Sequence, residues 1–444
     1  MPDTLMLEAR RGGVPEEVEV VARSEGVDTA KLAKALAQGR VVIPRNVRRR
    51  SVRCVGIGEM LSTKVNVNFG TSGHFADLNL ELEKARVAVE YGADTVMDLS
   101  TGGDLAQIRR QLMKASEPLP FGTVPTYQAW IEGVARFKAL PPADWFLKVI
   151  EEHLRDGVDF ATIHAGITRE LAERALKSKR VEPIVSRGGA MLAVWMMESG
   201  EENPYFKNWS YLLELFAEYD AVISLGDALR PGAIVDAHDE LQLGELQVNA
   251  RLLKEARETG VQTMLEGPGH VPLHKVALDV KVAKALTGGA PYYVLGPLVT
   301  DVAAGYDHIA AAIGAALAAA SGADLICYLT PTEHLGLPSP EQVKEGLIAA
   351  KIAAHAGDIV KLGSKAVRWD LEMSIARSEL NWERMFKLSL DPERAKRLHA
   401  QYGAGAPSCT MCGQYCVFLL LEKWVKSRGK MPFDEILDRI AEAL

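Results

Sequence analysis

The chain has 444 residues, 48% of them hydrophobic and 25% charged, with a formal net charge of -7. This balance fits a soluble globular enzyme with a substantial core and excludes a disordered chain or a small disulfide-stapled scaffold. The acidic charge argues against a general nucleic-acid binder, no apolar run reaches the roughly 20 residues of a membrane span, and MPDTLMLEARRGG lacks a signal peptide's apolar centre, so the expectation is a cytoplasmic protein.

Residues 1–51 carry two helical patterns, PEEVEVVARSEG and DTAKLAKALAQG, each stopped by glycine, which predict a small N-terminal cap. The basic run RNVRRR at 45–50 reads as a solvated surface segment. From 52 to 356, short β-branched runs alternate with Ala/Leu/Glu-rich helical stretches. The strand candidates are KVNVNFG, DTVMDLS, FGTVPTY, FATIHAG, EPIVSRGG, AVISLGD, QTMLEGPG, YYVLGPL and DLICYLTP. Such alternation predicts an α/β fold, a (β/α)8 TIM-type barrel serving as the catalytic domain; one candidate is then an extra edge strand or a loop. Over 357–444 the strands stop. A long amphipathic pattern, KAVRWDLEMSIARSELNWERMFKLSL, precedes DPERAKRLHAQYG, where Asp391 can cap a helix and Pro392 suits its first position. This predicts a C-terminal helical domain, with the cysteine segment mounted on the flexible stretch GAGAPS.

The polar residues with chemical potential cluster at strand ends, where barrel enzymes build their sites: Asn68, Asp98, His164, Ser186, Arg187, Asp227, Glu266, His270 and His334. VSRGG offers backbone N–H groups, a hydroxyl and a guanidinium to a phosphate monoester. GDALRPG adds a carboxylate for ribose hydroxyls and an arginine for an anion. Together they point to a phosphorylated, sugar-bearing substrate. His270 in EGPGH and His334 in TPTEH end neighbouring strands and can share a metal. His153, His238, His274, His308, His355 and His399 read as ordinary hydrogen bonders. Cys54 and Cys327 read as buried small hydrophobes. Cys409, Cys412 and Cys416 follow C-x2-C-x3-C, for which three uses compete: a structural zinc site with His399 as fourth ligand, a redox thiol pair, or an iron-sulfur cluster whose open iron binds S-adenosylmethionine.

Read together, VNVNFGTS, GADTVMDLSTGG, GTVPTYQA, TIHAG, SRGG, SLGDALRPG, EGPGHVPLH, GPLVTD, GYDHI, TPTEHLGLP, KIAAHAGD and CTMCGQYC resemble the phosphomethylpyrimidine synthase family of thiamin biosynthesis, which has a 5-hydroxybenzimidazole synthase branch in cobalamin biosynthesis. The resemblance spans about 50–420 and implies a noncanonical radical S-adenosylmethionine enzyme acting on 5-aminoimidazole ribotide. It further implies a homodimer in which one subunit's tail closes the other's barrel, and an electron donor such as flavodoxin or ferredoxin. By motif, Asn68, Met97, Tyr127, His164, Ser186, Arg187, Gly188, Asp227, Ala228, Leu229, Arg230, Glu266 and Tyr293 fall at substrate-binding positions. His270 and His334 fall at zinc positions, and Cys409, Cys412 and Cys416 at those of a 4Fe-4S cluster. Three departures stand out. The last cysteine comes one residue earlier than the family's C-x2-C-x4-C, Ala228 replaces glycine in GDGLRPG, and Ala304 replaces proline in APGYDH. A methyl at Ala228 narrowing the ribose site favours the 5-hydroxybenzimidazole product; the alternatives are phosphomethylpyrimidine and, more distantly, a non-catalytic zinc-stabilised nucleotide-binding barrel.

Overall fold

The computed structural model describes residues 3–49, 51–402, 408–425, 429 and 431–443. Two compact units share the chain, Met1–Gly357 and Asp358–Leu444. In the first, β1 (Val41–Val42) and β2 (Ile57–Gly58) form an antiparallel pair. Then come β3 (Lys64–Phe69), β4 (Thr95–Asp98), β5 (Phe121–Thr123), β6 (Phe160–Ile163), β7 (Val222–Leu225), β8 (Thr263–Gly267), β9 (Tyr292–Leu295) and β10 (Leu325–Cys327). These eight close into a parallel barrel in the order β10-β3-β4-β5-β6-β7-β8-β9, sealed where Leu325 pairs with Lys64 and Cys327 with Asn66.

Side chains alternate across each strand, so every second residue enters the barrel. Val65, Val67, Ala161, Ile163, Ile223, Leu225 and Leu265 pack outward under the helices, whereas Phe160, Val222, Met264 and Leu325 fill the interior. One layer further up, Asn68, Thr162, Glu266 and Tyr293 line a cavity instead of an apolar plug. The interior thus changes from apolar to polar towards the strands' C-terminal ends.

EPIVSRGG, the surplus one of the nine strand candidates, is the loop. Its upstream N–H groups go to a side chain, with Val181 N and Glu182 N both donating to Asp236, and Ser186 then caps the helix Arg187–Ser199 by accepting from Gly189 N. A segment committed to a helix cap has no ladder to join.

The N-terminal helices Leu5–Arg10, Glu16–Glu25 and Thr29–Ala37 have their own apolar cluster around Leu32, Leu36 and Ile43. The left-handed Gly26 ends the second helix, as its position suggests. This region is tied to the strands' N-terminal ends: Thr4 Oγ1 donates to Gly260 O at 2.7 Å, Leu5 N to Asp220 at 2.9 Å and Ile43 N to Gln262 at 2.7 Å. The basic run is not the solvated strip its composition suggests. Arg49 is buried in an ion pair with Asp159, and Asn46, also buried, donates from its N–H to Asp159 Oδ1 at 2.9 Å. Arg48 stays exposed and Arg50 lies outside the described residues, but the carboxylate that draws Arg49 inward is more than a hundred residues away in sequence.

The second unit is helical. The expected single amphipathic run is broken at Leu380, whose φ of 53° ends Ser364–Ser378, and Asn381 caps Trp382–Leu388. Asp391 accepts from Arg394 N and Pro392 opens Pro392–Ala400. Val417–Val425 and Phe433–Ala443 follow. The stretch 403–407, most of GAGAPS, lies outside the described residues. No helix among the described residues is long and apolar enough to cross a membrane.

Asp159 also accepts from Phe121 N at 2.8 Å, so truncating it strands two buried N–H groups and an arginine. Asp159→Ala should lower the free energy of unfolding by about 3–5 kcal/mol in urea titration, with Asp159→Asn in between; a loss below about 1 kcal/mol refutes this account of the seal.

Candidate active site

The polar layer at the top of the barrel is a connected network. Thr162 and Ser224, on adjacent strands, both donate to Glu266 Oε1, at 2.7 and 2.6 Å. That fixes the carboxyl and leaves Oε2 for whatever occupies the cavity. Asn66 donates to Asn68 Oδ1 at 2.7 Å and to the Tyr293 hydroxyl at 2.8 Å, and Asn68 Nδ2 reaches Cys327 Sγ at 2.9 Å. Glu266, Asn68, Tyr293 and Cys327 all face a cavity of about 80 Å³ whose other walls include Met97, Tyr127, His164, Asp227 and Arg230.

Asp227 and Arg230 come from the turn after β7. Arg230 Nη1 sits 3.1 Å from Asp227 Oδ1, while Asp227 Oδ2 is buried without a partner. Burial pushes Asp227 up to about 7 despite the guanidinium, with Glu266 adding repulsion; burial raises Glu266 as well. A buried acceptor with a free lone pair facing a cavity is suited to a hydroxyl or amine of a ligand.

Opposite stands the start of the helix Arg187–Ser199. Its N-terminus directs N–H groups outward, and Arg187 lies over the Tyr127 ring at 5.1 Å, a cationic corner fit for an anion. His164 is wedged in the same corner, close enough to Gly188 and Gly226 that a Cβ there would come within 2.5 and 2.7 Å of the imidazole. Burial pushes His164 down to about 3, keeping the ring neutral. Ser186 Oγ, 3.3 Å from His164 Nε2, already accepts from Gly189 N, so its hydroxyl proton is available to Nε2. His164 then carries its proton on Nδ1, which is buried and unpartnered. A second cavity of about 380 Å³ shares Asn68 and Leu99 with the first and is lined by Arg187, Lys84, Thr71, Thr330 and Glu333.

His270 and His334 follow β8 and β10, which are separated by β9 and are not neighbours, yet their ring centroids are 5.3 Å apart. Each Nδ1 faces a carboxylate, Asp301 at 2.8 Å for His270 and Asp307 at 3.0 Å for His334. This orientation leaves both Nε2 atoms for a metal and is the usual outer support of a histidine ligand. In the second unit, Cys409 is half-buried, Cys412 exposed and Cys416 buried. Hydrogen bonds from the backbone at Cys412 and Met411 pull Cys409 below the ordinary thiol range, whereas slight desolvation and the neighbouring Cys409 raise Cys412. Among the described residues no group of three or more His, Cys, Asp or Glu side chains is gathered for a metal ion, so ligation would itself organise the thiols. Soft thiolates on so short a segment fit an iron-sulfur cluster. His399 is packed instead against Trp382, the two rings tilted with centroids 4.2 Å apart.

Of the residues expected at substrate positions, Asn68, Met97, Tyr127, His164, Asp227, Arg230, Glu266 and Tyr293 line one cavity; Ser186 and Gly188 build the adjoining helix start, and Arg187 lines the second cavity. Ala228 and Leu229 do not face it. Both are fully buried, and the Ala228 methyl packs towards Gly189. Ala304 is exposed at the surface. Asp98 is buried but lines neither cavity; Ser100 N donates to it at 2.9 Å. Sequence reasoning missed Thr162 and Ser224, whose hydroxyls carry no motif, and Cys327, which is buried as expected yet lines the cavity, its thiol pushed up to about 12 by burial.

Residues 4–423 match the family described as the Radical SAM ThiC family. Among similar proteins, phosphomethylpyrimidine synthase of Ignicoccus hospitalis is 59% identical over 431 residues, 96% of this chain and 98% of that one. Its counterpart in Sulfolobus acidocaldarius is 56% identical over 429 residues, 96% of this chain and 100% of that one. That of Sulfurisphaera tokodaii is 57% identical over 412 residues, 92% and 96% respectively. These names overturn the expectation of a 5-hydroxybenzimidazole product. The physical premise of that expectation fails as well: the Ala228 methyl is spent against Gly189 and does not narrow the cavity.

The raised Asp227 carries a sign for stability. A carboxyl near 7 in the fold and near 4 unfolded binds its proton more tightly in the fold, so its contribution is full below about pH 4 and is lost as pH climbs towards 7. Between about pH 5.5 and about pH 8, Asp227→Asn should lose less unfolding free energy than the native chain, by about 2 kcal/mol. Parallel pH profiles in the two proteins contradict the assignment.

Proposed function

This chain belongs to the radical SAM ThiC family, and on that premise we propose that it carries out phosphomethylpyrimidine synthesis, converting 5-aminoimidazole ribotide into 4-amino-2-methyl-5-phosphomethylpyrimidine for thiamin. The observation that carries this reading is the 56–59% identity, over 96% of the chain, to proteins named for that reaction. The cavity chemistry supports it independently, because a ribotide needs an anion corner, an acceptor for hydroxyls and a dry, partly apolar wall.

In this reading Arg187, Arg230 and the helix start at Ser186 take the phosphate. Asp227 Oδ2 accepts from ribose hydroxyls, and His164 offers a neutral N–H from Nδ1. Glu266, held at Oε1 by two hydroxyls, keeps Oε2 for an N–H of the imidazole or for a proton in transit. Met97, Leu99, Val124 and Tyr127 exclude water from the reacting sugar.

A radical S-adenosylmethionine enzyme uses that cofactor with an iron-sulfur cluster, and here Cys409, Cys412 and Cys416 would hold a 4Fe-4S cluster. When bound, the pair supplies one-electron chemistry able to take hydrogen from unactivated carbon. We assign zinc to His270 and His334, whose carboxylate-backed imidazoles suit it. By resemblance to the family, a flavodoxin- or ferredoxin-type protein supplies electrons and the working form is a cytoplasmic homodimer.

Reduced enzyme given 5-aminoimidazole ribotide and S-adenosylmethionine should yield, by mass spectrometry, the phosphorylated aminopyrimidine; any other product from the consumed ribotide ends the proposal. The rim metal has a separate test. Asp301→Asn, which leaves both imidazoles in place, should weaken zinc affinity about 10–100-fold in a chelator competition, and an unchanged affinity removes His270 from the ligand set.

A further inference from the structure

Behind the site runs the helix Glu240–Thr259, packed outside the barrel; none of its residues lines the 80 Å³ cavity, though Glu245 and Asn249 line a small one of about 20 Å³ behind Asp227, Arg230 and Glu266. Two of its residues, Glu245 and Asn249, are one turn apart and so share a face. Both are buried, and both are directed at the backbone of the turn after β7. Glu245 Oε1 accepts from Ala228 N at 2.9 Å, and Oε2 accepts from Leu229 N at 2.6 Å. Asn249 Nδ2 donates to Gly226 O at 3.1 Å. These contacts bracket Asp227 on both sides and end next to Arg230. The turn's own bonding is sparse, with Gly226 N donating to Ile163 O and Arg230 N to Asp227 O.

The helix is anchored where it begins. Asp239 caps it through Leu241 N and Gln242 N and takes Arg180 in a two-pronged ion pair, both contacts at 2.6 Å. Arg180 belongs to the loop that leads into Ser186. One helix therefore holds both arms of the anion corner, the Asp227–Arg230 turn directly and the Ser186 loop through Arg180.

We propose that Glu245 is a positioning residue for the substrate, and that its two-pronged grip on Ala228 and Leu229 sets where Asp227 and Arg230 present their charged groups to the ribotide. The identity of the ligand rests on the function proposed above; the grip itself does not. Burial pushes the Glu245 carboxyl up to about 8 while its two N–H donors act the other way, and two acceptor oxygens are required at this place because one N–H converges on each. Glutamine, equal in size, has one acceptor oxygen, and its amide NH2 would be set against the other backbone N–H.

Equilibrium binding of 5-aminoimidazole ribotide to the cluster-free protein, by calorimetry, should weaken about tenfold or more in Glu245→Gln. Amide hydrogen exchange in the segment spanning Ala228 and Leu229 should quicken in the same variant. Leu253→Ala, a buried apolar truncation on the same helix, serves as the stability control and should lower Tm without changing either readout. Glu245→Asp keeps the carboxyl but shortens its reach, so it should fall between the native chain and Glu245→Gln, and it serves as the test if Glu245→Gln fails to fold. Native-like binding and native-like exchange in the Glu245 variants overturn the proposal, as does a Leu253→Ala variant that weakens binding in step with its Tm. If the native chain does not bind the ribotide, the proposed function falls, and exchange at Ala228 and Leu229 alone decides the grip.

Discussion

Closure of the barrel is the constraint from which the site follows. Once β10 pairs with β3, every strand must send alternate residues into a space of fixed width. Phe160, Val222, Met264 and Leu325 fill that space lower down with apolar side chains. At the C-terminal ends the inward positions fall to Asn68, Thr162, Ser224, Glu266 and Tyr293, and polar side chains in such a place persist only if they hydrogen-bond one another. They do so through the hydroxyls on Glu266 and the asparagine pair. What stays unpaired there, Asp227 Oδ2 and His164 Nδ1, is the part of the network left for a ligand.

Buried charge is handled by partnership throughout the first unit. Below the barrel, Asp159 gathers two backbone N–H groups and Arg49, making the N-terminal segment a seal on the strand ends. Above it, Asp239 takes Arg180, and Glu245 takes two backbone N–H groups. Each carboxylate joins parts of the chain that are distant in sequence, and each depends on geometry because an uncompensated charge in the interior is costly. The upper pair converts the packing of an outer helix into the placement of cavity groups. Fold and site are in this sense held by the same interactions.

The two sets of candidate metal ligands follow different physical logic. His270 and His334 are held in advance, with a carboxylate behind each ring and the rings already close. The three cysteines sit within one short segment of varied exposure, in which backbone donors favour the thiolate at Cys409. Imidazoles oriented before binding suit a metal that stays in place, and thiols ordered by ligation suit a cluster assembled on the protein.

Much of this was readable from the chain alone. Strand-helix alternation, the cap at Asp391, the rim histidines and the spacing of Cys409, Cys412 and Cys416 are local patterns, and local patterns are written in consecutive residues. Tertiary structure decided what depends on residues far apart. EPIVSRGG has strand-like composition but loses its ladder to Asp236 and a helix cap; RNVRRR looks solvated until Asp159 draws Arg49 inside; Leu380 breaks a helix whose periodicity runs straight through it. Ala228, inside the motif GDALRPG, suggests a narrowed pocket, but its methyl turns to Gly189 and its N–H to Glu245. Residue type and spacing determined the fold class and the chemistry available at the rim. Only the closed barrel and its outer helices settled which of those groups face the cavity, because burial and hydrogen-bond partners are properties of contacts between distant segments.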